Sequence, residues 1–172
     1  HVLMAVTAAK VESYPWDHIV VQNVWPKDFY EVLLDNTPAD DDPKWEQLRK
    51  AHRKLYWIEK DGVLRHPLPG FWETLHYEVL VSLRSALEHK FAVRGSYSGS
   101  ELLSDWPGYH IRVHTDTPDK LITGLFYLPE DDLFAKHGTS LYLSDRGDPT
   151  GKLTPEAVAW IKTTPYVPNT AL

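Results

Sequence analysis

Trp72, Leu75, Val79, Leu83 and Leu87 recur every three to four residues, and no stretch after residue 90 repeats that period. This contrast constrains the fold more than any other feature. Apolar side chains at that spacing form one stripe along an α-helix, and a stripe of this bulk has to be covered by the rest of the domain. Beyond residue 90 the pattern shortens to apolar runs separated by Gly, Pro, Asp and Ser. The segments 109–114, 121–128, 138–144 and 161–168 read as strands. LITGLFYL (121–128) is apolar on both faces, which predicts a strand covered on both sides. Helices first and short strands afterwards predict an α+β domain with a β-sandwich or barrel at its heart.

The front half reads in the same terms. Residues 18–24 (HIVVQNV) are rich in β-branched side chains and predict a short buried strand. Pro26 suits the first turn of a helix that carries Phe29, Val32 and Leu33 at helical spacing. After the acidic break TPADDDP at 37–43, residues 44–53 predict a second, weaker helix and 55–58 a strand ended by an Asp61-Gly62 turn. Pro67 to Gly70 punctuates the chain before the long helix, and 145–152 (DRGDPTGK) is turn chemistry.

Composition removes several function classes. With 18 basic against 24 acidic residues and no Lys/Arg-rich run, a nucleic-acid partner is not expected. The absence of cysteine excludes disulfides, thiolate metal sites and cysteine nucleophiles. It also fits a reducing compartment, so the expectation is a cytoplasmic protein. No apolar run approaches the roughly 20 residues of a membrane helix, and no membrane partner is expected.

Most short motifs fail on inspection. Arg146-Gly147-Asp148 is explained by a polar turn. Gly147 to Lys152 has the wrong glycine spacing for a phosphate loop, and Leu153 stands where Ser or Thr is required. No nucleophile elbow is present. What remains is His114-Thr115-Asp116. On an extended chain, residues two apart point to the same side, so an imidazole and a carboxylate here can grip one small cation. They form two-thirds of the two-His-one-carboxylate arrangement that holds non-haem Fe(II). With 9 His and 14 Asp, about 0.7 such motifs arise by chance, so the surroundings must carry the claim. By the same parity, His110 and Arg112 share a side with the pair.

Those surroundings are ordered. Gly108, Tyr109, His114 and Asp116 are followed by Lys120, Thr123, Leu125, Tyr127, Leu128 and Pro129, and then by Gly138, Thr139, Leu141 and Tyr142. The series resembles the 2-oxoglutarate and Fe(II)-dependent oxygenase superfamily, particularly its prolyl-hydroxylase-like and phytanoyl-hydroxylase-like branches. Residues 14–34 resemble the opening strand and helix of that family, so the likeness runs from residue 14 to 172. It implies a double-stranded β-helix, a cupin-like jelly roll, with the N-terminal helices packed outside. It implies Fe(II), 2-oxoglutarate and O2, and a dioxygenase that couples oxidation of 2-oxoglutarate to hydroxylation of an unactivated C–H bond in a small-molecule or peptide substrate. His114 and Asp116 become metal ligands, and Tyr109, Tyr127 and Arg112 become candidates to contact the co-substrate.

The family pattern also holds a second histidine on a late strand and, beyond it, a basic residue for the distal carboxylate of 2-oxoglutarate. After Asp116 the only histidine is His137, 21 residues on, and the only arginine is Arg146. The expectation is therefore a single domain, 1–172, incomplete at its C-terminus, with impaired or no activity as it stands. Two other readings stay open. One is a degenerate, non-catalytic jelly-roll module that binds a glycan or another flat ligand on its many aromatic rings. The other is a cupin-like metalloprotein in which His110 or His137 substitutes as a ligand.

Overall fold

A computed structural model of the chain describes residues 1–43, 45–48, 52–60, 63–64, 70–96, 99–144, 153 and 157–172. The RGD tripeptide, the 145–152 turn, the Asp61-Gly62 turn and Pro67 to Pro69 lie outside the described residues. The architecture is mixed: helices packed with small antiparallel sheets, as the α+β expectation requires.

The long stripe does form a helix, in three parts: α3 (Gly70–Leu75), a π turn (His76–Leu80) and α4 (Val81–Phe91). Trp72, Leu75 and Leu83 are buried, and Val79 and Leu87 pack against the same core. The stripe spaces its side chains slightly wider than 3.6 residues per turn, and the π turn absorbs that excess. α4 stops where Ala92 turns left-handed (φ 54°) and returns its N–H to the carbonyl of Glu88. Lys90 then reaches the carbonyls of Thr7 and Ala9 at 2.9 and 2.6 Å. This ties α4 to the end of α1 (Val2–Ala8), whose Val2 and Val6 are buried.

The second helix, α2 (Lys27–Asp35), begins directly after Pro26 and buries Tyr30 and Leu33. Trp72 donates its indole N–H to the carbonyl of Asn36, where α2 ends, at 2.8 Å. Against these helices stands a three-stranded sheet in the order β1 (Val21–Gln22), β9 (Thr170–Ala171), β6 (Phe126–Tyr127), with Val21 and Phe126 both facing Ala171 in register. Asn169 makes this closure possible. At φ 57° it turns the chain into β9, and its amide both accepts from Trp25 N–H and donates to Trp25 C=O at 2.8 Å. One core joins Val2, Val24, Trp25, Leu33, Trp72, Leu83 and Ala171.

The second sheet is built on β3 (Arg53–Lys60). β2 (Glu46–Leu48) and β4 (Val63–Leu64) share one edge, and β5 (Gly99–Asp105) takes the other. This corrects the helix expected at 44–53: Glu46 to Leu48 pair with Leu55 to Arg53, and that cross-strand pairing overrides a weak helical pattern. The strand at 55–58 is found inside β3, and β5 went unforeseen. β7 (Ser140–Ser144) pairs with β8 (Val158–Thr163). β8 starts and ends earlier than the expected 161–168, because Pro165 and Pro168 cannot donate to a ladder.

Two further expectations are corrected. Residues 109–114 form no strand, because among the described residues they find no partner strand. The segment 121–128 is a strand only at Phe126 and Tyr127 and is not covered on both sides: Leu121 is 53% exposed. Among the described residues no helix is long and apolar enough to cross a membrane.

Candidate metal centre

The segment that carries His114 and Asp116 leaves the end of β5 through a tight turn. Trp106 N–H bonds to the carbonyl of His52, and Tyr109 N–H returns to the carbonyl of Trp106 at 2.8 Å. Gly108 sits inside this turn at φ +92°, a conformation in which a side chain would be strained. The turn drops Tyr109 beneath Arg53, whose guanidinium carbon lies 4.3 Å from the ring centroid while its nitrogens bond Asp105 at 2.5 and 2.9 Å. Burial raises the Tyr109 pKa; the Arg53 charge opposes that rise and Asp105 adds to it. From there the chain runs irregularly to Leu125, which exchanges backbone hydrogen bonds with Leu172 at 2.9 Å.

Within this run the two sequence-predicted ligands face each other. His114 Nδ1 lies 2.8 Å from the carbonyl oxygen of Arg112. A carbonyl only accepts, so Nδ1 carries the proton and a neutral ring has its lone pair on Nε2. Nε2 lies 3.9 Å from Asp116 Oδ1. Two donors about 2.1 Å from one ion can stand at most about 4.2 Å apart, so this separation admits a shared cation. The donor types, a neutral imidazole and a carboxylate oxygen, suit Fe(II), Mn(II) or Zn(II). Both side chains are about 40% exposed, which leaves the cation access from solvent.

The carboxylate has further partners. Thr123 donates its hydroxyl to Asp116 Oδ2 at 2.6 Å, and Lys120 Nζ lies 3.8 Å from Oδ1. The turn closed by Lys120 N–H and the carbonyl of Thr117 brings both residues back onto Asp116. Sequence reading quoted Thr123 and Lys120 in the motif but gave them no role. The one signal available was the Thr117-Pro118-Asp119-Lys120 turn between them and the carboxylate.

The other candidates lie apart from this pair. His110 and Arg112 are exposed, and the contribution of Arg112 to the site is its carbonyl. His137 sits in a short 3-10 turn (Ala135–His137), exposed and edge-on to Phe134. Among the described residues no three His, Asp or Glu side chains gather as a metal-binding group. Tyr127 is buried, donating to Thr139 Oγ1 at 2.6 Å and accepting from Thr139 N–H at 3.1 Å. Its hydroxyl is thus already engaged in holding the approach to β7. A hollow of about 280 Å³ beside Tyr166, lined by Pro129, Asp131 and Phe134 among others, includes neither His114 nor Asp116. Comparison of the chain with protein-family models, with curated proteins and with solved structures finds no match.

Proposed function

We propose that His114 and Asp116 are two ligands of an Fe(II) centre in a 2-oxoglutarate-dependent dioxygenase of jelly-roll architecture, acting as a hydroxylase. One observation carries the reading: His114 presents Nε2 to Asp116 Oδ1 at 3.9 Å while its other nitrogen is held by a backbone carbonyl. Metal-ligating histidines are typically oriented in this way, with the second ring N–H bound to a carbonyl or carboxylate. The strand pairings described are all antiparallel, as a jelly roll requires. When bound, iron with 2-oxoglutarate and O2 would supply the oxidising chemistry. The chain itself fixes the imidazole tautomer, holds the carboxylate beside it through Thr123 and leaves the cation an open, solvent-facing side.

Titration with Mn(II), a redox-stable stand-in for Fe(II), tests the reading by calorimetry. The wild-type chain should bind saturably, His114→Ala should weaken binding by at least tenfold, and thermal unfolding of the metal-free variant should be unchanged. Equal binding by wild type and His114→Ala would remove His114 as a ligand and with it the proposal.

A further inference from the structure

The carboxylate of Asp116 is held at both oxygens by groups with opposite consequences for a cation, and we infer that Thr123 and Lys120 set its affinity in opposite directions. The inference rests on the metal reading of His114 and Asp116. Thr123 Oγ1 donates to Oδ2 at 2.6 Å, within the range of a charge-assisted hydrogen bond. That bond engages Oδ2 and restrains the carboxylate, while Oδ1 is the oxygen 3.9 Å from His114 Nε2. Thr123 is therefore a positioning residue, compatible with a bound cation and favourable to a single carboxylate oxygen on it. Lys120 Nζ competes instead. It lies 3.8 Å from the same Oδ1, and a dication arriving there meets an ammonium that must swing away. Lys120 is 51% exposed, so that displacement is into water and its effect is small.

The test is Mn(II) titration of the full chain followed by calorimetry, with far-UV circular dichroism and melting temperature as folding controls. Thr123→Val keeps the shape and removes the donor. It should weaken Mn(II) binding about 10- to 100-fold, the range seen when a group orienting a ligand is removed. Thr123→Ser should restore binding to within about threefold of wild type, which a merely structural loss would not allow. Lys120→Gln should tighten binding about two- to fivefold, in line with an exposed ion pair. Wild-type binding in Thr123→Val, alongside its loss in Asp116→Ala, would overturn the positioning role while leaving the metal reading intact. Weaker binding in Lys120→Gln would overturn the competition. Mn(II) binding indifferent to His114→Ala and Asp116→Ala would overturn both this inference and the reading beneath it.

Discussion

Replacing Gly138 by alanine should cost this chain more stability than any other single methyl group added to its described glycines. Gly138 precedes β7, where the backbone of residues 164–166 crosses it. A Cβ built there would overlap the carbonyl oxygen of Thr164 and stand 2.8 Å from the nitrogen of Tyr166 and 2.9 Å from the carbonyl carbon of Pro165. A carbon and a carbonyl oxygen in contact need roughly 3.3 Å, so the two backbones must part by about an ångström or more. They are joined by hydrogen bonds that such a movement breaks: Thr164 N–H to the carbonyl of Thr139 at 2.8 Å, and Tyr166 N–H to the carbonyl of Ala135 at 3.0 Å. At about 1 kcal/mol for each bond and about 1–3 kcal/mol for the overpacking itself, Gly138→Ala should lose about 3–5 kcal/mol. For a domain of this size that lowers the melting temperature by roughly 10 °C. Gly70→Ala is the matched control, since a Cβ at Gly70 meets nothing within 4 Å. Urea denaturation and thermal melting of both variants provide the assay. A Gly138→Ala variant within about 1 kcal/mol of wild type would refute the claim that the two backbones touch.

Two further perturbations follow from the same structure. Asn169→Ala removes both amide bonds to Trp25 and leaves a side chain at φ 57°, so it should cost about 3–4 kcal/mol in urea denaturation. Asn169→Gly, which relieves the backbone alone, should recover only about 1 kcal/mol of that, and full recovery would show that the amide bonds contribute nothing. Burial raises the pKa of Tyr30, Tyr109 and Tyr166 above the usual value of about 10. A group whose pKa is raised by folding contributes stability that is complete below its unfolded pKa and is lost as pH rises through the folded one. The urea midpoint should therefore fall above about pH 10, and Tyr166→Phe should shrink that fall; an identical fall in the variant would remove Tyr166 as a cause.

What could be read from the sequence was whatever a short stretch decides alone. The stripe from Trp72 to Leu87 fixes a helix face because its period is local and its side chains are large. Pro26 and the apolar residues behind it mark α2 for the same reason. Strands were less legible, because a strand exists only with a partner. Residues 46–48 looked helical until residues 53–55 paired with them, and 109–114 looked like a strand but lacks a partner among the described residues. β5 escaped notice although its burial alternates at Leu102 and Ser104, since Gly99 and four polar residues dilute the apolar signal. The candidate site divides along the same line. His114 and Asp116 are two residues apart, and their proximity needs only a roughly extended chain. Thr123 lies seven residues beyond Asp116, and its approach depends on a turn whose path no pattern of residue types specifies.

The loss of the expected strand around His114 bears directly on how the pair could work. A β ladder would have held His114 and Asp116 on one face through backbone bonds to both neighbours. Here the equivalent hold is made by side chains and turns: the Arg112 carbonyl on the imidazole, Thr123 on the carboxylate, the Thr117–Lys120 turn between them, and Tyr109 anchored beneath Arg53. Each of these contacts is exposed or half-exposed, and each is worth on the order of 1 kcal/mol. Backbone hydrogen bonds fasten the segment at its ends, at Trp106 to His52 and at Leu125 to Leu172. The two side chains, 3.9 Å apart, are thus weakly held, and a small shift of either needs no change in the buried sheet of β1, β9 and β6. On the proposed metal reading, the affinity of the pair would depend on the few contacts that restrict Asp116. A single hydroxyl on Thr123 would then matter more here than it would on a fully paired strand.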